Sequence, residues 1–80
     1  MTVTVRYFAA AQEAAGVTAE VLDAATTGEL RAAMVAAHGA GLERVLTRCS
    51  LLAAGVRVGA QDVPLPDGVT VDVLPPFAGG

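Results

Sequence analysis

Polar and apolar residues alternate at both ends of the chain. Residues 2–7 read TVTVRY and place Val3, Val5 and Tyr7 on one side of an extended segment. Residues 69–74 repeat the pattern, with a valine at every odd position. Alternation of this kind, with β-branched residues, is typical of half-buried strands. The first and last elements of the chain are therefore predicted to be its strongest strands.

Helical patterns follow the first strand. Residues 9–15 have high helix propensity and precede Gly16, a natural C-terminal stop, so a short helix is predicted there. Thr26 and Glu29 have the spacing of a capping box, which predicts that the main helix begins near Thr27. The apolar positions with helical spacing, which form its predicted buried face, are Leu30, Ala33, Met34 and Ala37.

The other predicted elements are shorter. Residues 17–22 resemble a second strand, and residues 42–46 a short amphipathic turn that closes the core. Residues 51–54 and 56–58 look like two strand pieces, joined at Gly55 by either a tight turn or a bulge. The main helix is expected to end at 38–39, and a turn cluster is expected at 64–68.

The order of these elements predicts an α+β domain. Two strands, a long helix and further strands fit a mixed sheet packed on one main helix, with short accessory helices. If the first and last strands lie side by side and parallel at the centre, the fold is a ubiquitin-like β-grasp. Residues 1–74 are predicted to form this domain, and residues 75–80 a flexible C-terminal Gly-Gly tail.

Composition and charge argue against several classes of partner and of chemistry. The 80 residues carry a formal net charge of −3, which disfavours nucleic acid and anionic membrane surfaces as partners. No apolar run approaches the length of about 20 residues that spans a bilayer, and no signal peptide is visible. The single cysteine, Cys49, excludes an internal disulfide and fits a reducing cytoplasm. There is no lysine, which removes Schiff-base chemistry.

No residue pattern in the chain predicts a self-contained enzyme. Cys49 is expected to be a small buried hydrophobe, and His38 to lie at a helix end, near the last carbonyls. One cysteine and one histidine do not make a zinc site. Residues 39–41 open like a dinucleotide fingerprint, but Arg44 stands where the third glycine belongs.

The C-terminal segment carries the candidate chemistry. Two prolines lack the amide donors of a sheet ladder, so the last strand is predicted to end before them and the base of the tail to be stiff. The two final glycines can pass through a narrow channel because they have no β-carbon. A carboxylate reacts only after a partner activates it, and that acyl group then needs a site without water. The residues concerned are Leu74, Pro75, Pro76, Phe77, Ala78, Gly79 and Gly80.

In this segment the Gly80 carboxylate is the predicted reacting group. Phe77 is either an apolar anchor at the mouth of the partner's channel or a side chain folded back on the domain. Both alternatives stay open at this point.

The chain resembles the small subunit of molybdopterin synthase, a ubiquitin-like sulfur carrier. The similarity lies in residues 3–9, Glu13 and Gly16 near the start, in residues 26–30 at the helix start, and most specifically in residues 74–80. Residues 53–55 depart from the Asn-Gly turn often found in that family. The likeness covers nearly the whole chain.

The resemblance implies how the tail is used. An E1-like adenylyltransferase would activate the Gly80 carboxylate with ATP, and a sulfurtransferase would convert it to a thiocarboxylate. The large subunit of molybdopterin synthase would then take up the tail and use the sulfur to build the dithiolene of molybdopterin. In this scheme Pro75, Pro76, Phe77, Ala78 and Gly79 would bind the partner and position Gly80, and the sheet face near Leu74 would be a docking surface. The carrier itself would bind no cofactor and would not be catalytic alone. The alternatives are a carrier for thiazole, cysteine or tRNA thiolation, a ubiquitin-like protein modifier, and a plain interaction domain.

Overall fold

The computed structural model of the chain describes residues 1–59 and 61–76. These residues form five strands and three helices. In chain order they are β1 (Thr2–Tyr7), α1 (Ala10–Ala15), β2 (Ala19–Asp23), α2 (Thr27–His38), α3 (Ala40–Leu46), β3 (Ser50–Ala53), β4 (Val56–Val58) and β5 (Thr70–Leu74). No helix in these ranges is long and apolar enough to cross a membrane.

The first and last strands lie together at the centre of one mixed sheet. The strand order is β2-β1-β5-β3-β4, and β1 and β5 run parallel with Val5 opposite Val71 and Tyr7 opposite Val73. The other three pairs are antiparallel. This arrangement confirms the predicted ubiquitin-like β-grasp.

One face of the sheet forms the core. The valines predicted to face inward are buried, since Val3, Val5 and Val73 are 0% exposed and Val71 is 1% exposed. Helices α2 and α3 cover this face with fully buried apolar side chains. Those side chains are Leu30, Met34 and Leu42.

Helix α2 begins with the predicted cap. The Thr26 hydroxyl accepts a hydrogen bond from the backbone N–H of Glu29 at 3.1 Å. The Glu29 carboxylate accepts in return from the N–H of Ala25, one residue before the cap, at 2.8 Å. The first bond satisfies an amide that the first helical turn leaves without a partner, and the second holds the residue before the cap against the helix.

The buried face of α2 differs from the prediction at its last turn. Ala37 is exposed, and the half-buried His38 continues the row of Leu30 and Met34 at a spacing of four. Spacings of three and four are both compatible with the helical period, so the sequence alone does not choose between them. The prediction that Ala37 lies in the buried face is wrong.

The second strand begins later than predicted. Gly16 ends α1 with φ 78°, as expected, and residues 17–18 form a bend before β2 begins at Ala19. Val21 is 63% exposed because the even-numbered residues of β2, not the odd ones, lie toward the core.

The connection between β3 and β4 is a tight turn. Ala54 has φ 50° and Gly55 has φ 82°, which is the pair of positive values that a type I′ hairpin turn requires. Of the two alternatives at Gly55, the turn is therefore confirmed. Ala54 occupies a position that favours asparagine or glycine, so the backbone there is strained.

Candidate functional site

Strand β5 positions the base of the C-terminal tail. It lies between β1 and β3, and Leu74, its last residue, is opposite Ser50. The N–H of Phe8 donates to the carbonyl of Val73 at 3.2 Å. Beyond Leu74 the chain leaves the sheet, as predicted, because the next two residues are prolines.

The predicted site residues fall into two groups. Leu74 and Pro75 are half-buried and Pro76 is exposed, so the structure places the base of the tail at the edge of the domain. The remaining predicted site residues, Phe77, Ala78, Gly79 and Gly80, lie outside the described residues. Their roles, and the division into a 1–74 domain and a 75–80 tail, stay predictions.

The face of the sheet opposite the helices is open and borders the base of the tail. We define the open face by Arg6, Phe8, Leu52, Asp72 and Leu74. Both leucines are half-buried, and Phe8 is 38% exposed. The five residues combine apolar surface with one charged pair.

The charged pair on the open face joins the two central strands. The Arg6 guanidinium donates two hydrogen bonds to the Asp72 carboxylate, at 2.6 and 2.8 Å. The hydrogen bond to Asp72 raises the pKa of Arg6 above its usual value. The guanidinium also lies 5.8 Å from the centre of the Phe8 ring, within the range of a cation–π contact.

The sequence analysis did not single out this pair. The signal was present, because Arg6 and Asp72 both occupy polar positions in strands predicted to be parallel neighbours. The alternation of polar and apolar residues does not give the register between β1 and β5. A shift of one residue in either strand would place its side chain on the other face of the sheet.

A second polar cluster ties β1, β2 and α2 together. The Tyr7 hydroxyl donates to the Glu20 carboxylate at 2.6 Å, and Nε2 of His38 contacts the same oxygen at 2.5 Å. Burial, together with this hydrogen bond, raises the pKa of Tyr7. His38 ends α2, as expected, but its ring contacts a carboxylate of the sheet rather than the last helix carbonyls.

The surroundings of the lone cysteine favour a packing role over a reactive one. Cys49 is half-buried, and its Sγ donates to the carbonyl of Val45 at 3.2 Å. Burial raises the pKa of the thiol, which reduces the fraction present as the nucleophilic thiolate. Within residues 1–59 and 61–76, no group of three or more His, Cys, Asp or Glu side chains is arranged to hold a metal ion.

A groove runs between the base of the tail and helix α3. Its volume is about 730 Å³, and its walls include Pro75 and Pro76 on one side and Arg44, Val45 and Arg48 on the other. The two arginines are exposed. The tail base is therefore flanked by the open sheet face and by a groove with two cations.

Comparison with known proteins assigns the family. The model of the ThiS family matches residues 5–80, nearly the whole chain. The chain belongs to the ThiS family. The molybdopterin synthase sulfur carrier subunit of Chlamydomonas reinhardtii is 40% identical to it over the full length of both proteins. The resemblance to the small subunit of molybdopterin synthase is thereby confirmed.

Solved structures support the same assignment for this ThiS-family chain. SAMP1 from Haloferax volcanii superposes with a TM-score of 0.85 at 26% identity, with all of both chains covered. A protein–protein complex of subunits 1 and 2 of the molybdopterin-converting factor from Helicobacter pylori contains a chain that matches with a TM-score of 0.74 at 29% identity, again over all of both chains. The fold is thus one that ThiS-family carriers and related proteins share.

Proposed function

We propose that this chain is the sulfur carrier subunit of a molybdopterin synthase and that Gly80 carries the sulfur. The observation that supports this most strongly is the 40% identity, over the full length of both proteins, to a molybdopterin synthase sulfur carrier subunit. The geometry agrees, because the central strand β5 runs directly into the two prolines that precede the final glycines.

The chemistry needs two activating steps. A carboxylate oxygen of Gly80 attacks the α-phosphate of ATP in the E1-like enzyme, and pyrophosphate leaves. The terminal sulfur of a persulfide on the sulfurtransferase then attacks the acyl carbon of this adenylate, and AMP leaves. A thiol reductant cleaves the resulting acyl disulfide, which frees the sulfurtransferase and releases the thiocarboxylate. The carrier supplies no catalytic side chain and binds no cofactor in this scheme; its contribution is to present an unhindered acyl group.

The large subunit is the proposed acceptor of the loaded tail. It would shield the thiocarboxylate from bulk water while the sulfur displaces an oxygen substituent of the dithiolene precursor. One water would then hydrolyse the acyl–sulfur bond, which leaves the sulfur on the product and restores the Gly80 carboxylate. The Helicobacter pylori structure, a complex of subunits 1 and 2, supports a partner of this kind. Leu74 and the rest of the open face would form the docking surface beside the tail.

The cell compartment follows from the same chemistry. Activation consumes ATP and the product is a reactive thiocarboxylate, so the proposed location is the cytoplasm. The lone Cys49 thiol suits a reducing compartment.

The alternative functions receive less support. A protein modifier would link Gly80 to lysines of other proteins, and a carrier for thiazole, cysteine or tRNA would deliver its sulfur elsewhere. The match to SAMP1 is at 26% identity, well below the 40% shared with the synthase carrier. The synthase carrier is therefore the function proposed here.

Reconstitution tests the proposal. The chain, its host's E1-like enzyme, a sulfurtransferase, ATP and the large subunit are expected to convert the sulfur-free precursor to the dithiolene. Deletion of Gly79 and Gly80 should abolish conversion, whereas the turn variant Ala54→Gly should retain it. A chain that becomes thiolated but supports no conversion would assign it to another sulfur pathway, and a chain that becomes linked to lysines would make it a modifier.

A further inference from the structure

Two arginines on one side of helix α3 lie beside the base of the tail. Arg44 belongs to α3, and Arg48 lies four positions further along the chain, just after the end of that helix. Thr47 keeps a right-handed helical conformation, and the N–H of Arg48 donates to the carbonyl of Val45 at 3.0 Å. The helical spacing therefore continues past the end of α3 and brings both side chains to the same side.

Neither arginine has an acidic partner among residues 1–59 and 61–76. The ion pairs in those ranges are Met1–Asp23, Arg6–Asp72 and His38–Glu20. Both guanidinium groups line the groove of about 730 Å³ that also contains Pro75 and Pro76. Arg31 and Arg57 likewise form no ion pair in those ranges, so Arg44 and Arg48 are distinguished by their position in the groove beside the two prolines.

The surface between the arginines and the prolines is apolar. Ala10, Val45, Pro75 and Pro76 all line the groove. A partner that covers this surface removes water from around the two guanidinium groups, which strengthens their attraction for carboxylates. Arginine binds carboxylates through two parallel hydrogen bonds, so such a site also fixes orientation.

We propose that the groove formed by Arg44, Arg48, Pro75 and Pro76 binds an acidic segment of the large subunit that takes up the tail. This inference rests on the proposed function. Pro76 is four residues from Gly80, so an extended tail reaches about 13 Å beyond it. Whatever protein holds Gly80 in its active site thus lies close enough to cover the groove.

The segment is expected to carry at least two carboxylates with apolar residues between them. Two cations at helical spacing on an apolar surface complement that pattern, whereas a small hydrated anion would leave the apolar surface unused. The net charge of −3 also disfavours a polyanion such as nucleic acid as the occupant.

Binding measurements with charge variants form the first test. The dissociation constant for the large subunit is measured by calorimetry with the full chain. We expect Arg44→Gln and Arg48→Gln each to weaken binding about tenfold, and Arg44→Glu/Arg48→Glu by about a hundredfold, because charge-assisted bonds in a partly desolvated site are lost. Arg31→Glu, a matched charge change on α2 outside this groove, should bind as the wild type does, and thermal unfolding checks that every variant is folded.

Zero-length crosslinking forms the second test and uses the absence of lysine. Arg44→Lys or Arg48→Lys introduces the one side-chain amine of the protein. In the complex, a carbodiimide should join that amine to an aspartate or glutamate of the large subunit, and peptide mass mapping identifies it. Arg31→Lys provides the background level.

Four results would overturn the inference, of which the first three come from the two tests above. They are unchanged binding of the double charge reversal, crosslinks no stronger than those of Arg31→Lys, and a crosslink to the Gly80 carboxylate of the same chain, which would make the tail itself the occupant. Loss of adenylation with intact binding to the large subunit would also overturn it, because the groove would then serve the activating enzyme. The proposed function fails separately, if the wild-type chain supports no conversion of precursor.

Discussion

The two faces of the central strand pair, β1 and β5, differ in burial and in the side chains that they present. On the covered face, Val5 and Val73 are fully buried under the helices. On the open face, the same two strands present Arg6, Asp72 and the half-buried Leu74. Because side chains alternate along a strand, adjacent residues belong to different faces. One face supplies the stability of the fold, and the other, with the tail, is available to a partner.

Two adjacent leucines of β3 give the largest contrast between the faces. Leu51 is 2% exposed in the core, and Leu52 is half-buried on the open face. Leu51→Ala is expected to lower the free energy of unfolding by about 2–5 kcal/mol, and Leu52→Ala by less than about 1 kcal/mol. Urea denaturation measures both. Leu52→Ala should instead weaken binding to the large subunit. Equal losses of stability in the two variants would contradict the assignment of one face to the core and the other to partner binding.

The strained hairpin turn allows stability to change without altering the open face. Ala54→Gly removes the β-carbon at φ 50° and should raise the free energy of unfolding by roughly 1 kcal/mol. The same substitution at Ala32, exposed in the middle of α2, should lower it by about 1 kcal/mol. Thermal and urea unfolding give both values. A turn variant that is less stable than the wild type would contradict the assigned strain.

The Arg6–Asp72 pair should contribute more to partner binding than to folding. The Arg6 side chain is 53% exposed, so solvent screens the pair. A double-mutant cycle with Arg6→Gln and Asp72→Asn is expected to give little coupling in unfolding. A coupling as large as the stability loss of Leu51→Ala would show that the open face also supports the fold.

The smallest expected effect concerns acid stability at the start of β1. The Asp67 carboxylate accepts from the N–H of Thr2 at 2.7 Å, and this bond lowers the pKa of Asp67. A carboxyl group with a lowered pKa in the folded state stabilises the fold above its unfolded pKa of about 3.9, and that contribution disappears as pH falls through the folded value. The stability difference between wild type and Asp67→Asn should therefore shrink below about pH 4. Urea titrations from pH 7 to 3 test this, and a difference that does not depend on pH would contradict it.

Local patterns predicted most of the fold. The alternation in β1 and β5, the Thr26–Glu29 cap and the glycine stop after α1 each depend on residues close in sequence. The structure confirms all of them. The parallel pairing of β1 and β5 followed from the strength of those two strands, which favoured a central position.

Long-range side-chain contacts, unlike the pairing of β1 and β5, could not be predicted, because they depend on register and on how loops cross the helices. Asp62 accepts from the N–H of Gly28 at 2.7 Å, although the two residues are 34 positions apart. A β-carbon at Gly28 would lie 3.0 Å from that carboxylate, so the glycine permits a close approach that no local pattern indicated. The contacts of Glu20 with Tyr7 and His38 have the same origin.

The site could be predicted in part. The end of β5 before Pro75 was visible in the sequence because proline lacks an amide donor. The groove with Arg44 and Arg48 was not, since its walls come from α3 and from residues 75–76, which are far apart in the sequence.

The central claim is that Gly80 carries sulfur. The measurement that tests it most directly is the intact mass of the chain purified from its native host, followed by mass mapping of the C-terminal peptide. The account predicts a fraction heavier by one oxygen-to-sulfur replacement, located on Gly80 and lost when the host's E1-like enzyme is deleted. A chain that stays a plain carboxylate in the presence of that enzyme, ATP and a sulfurtransferase would contradict it.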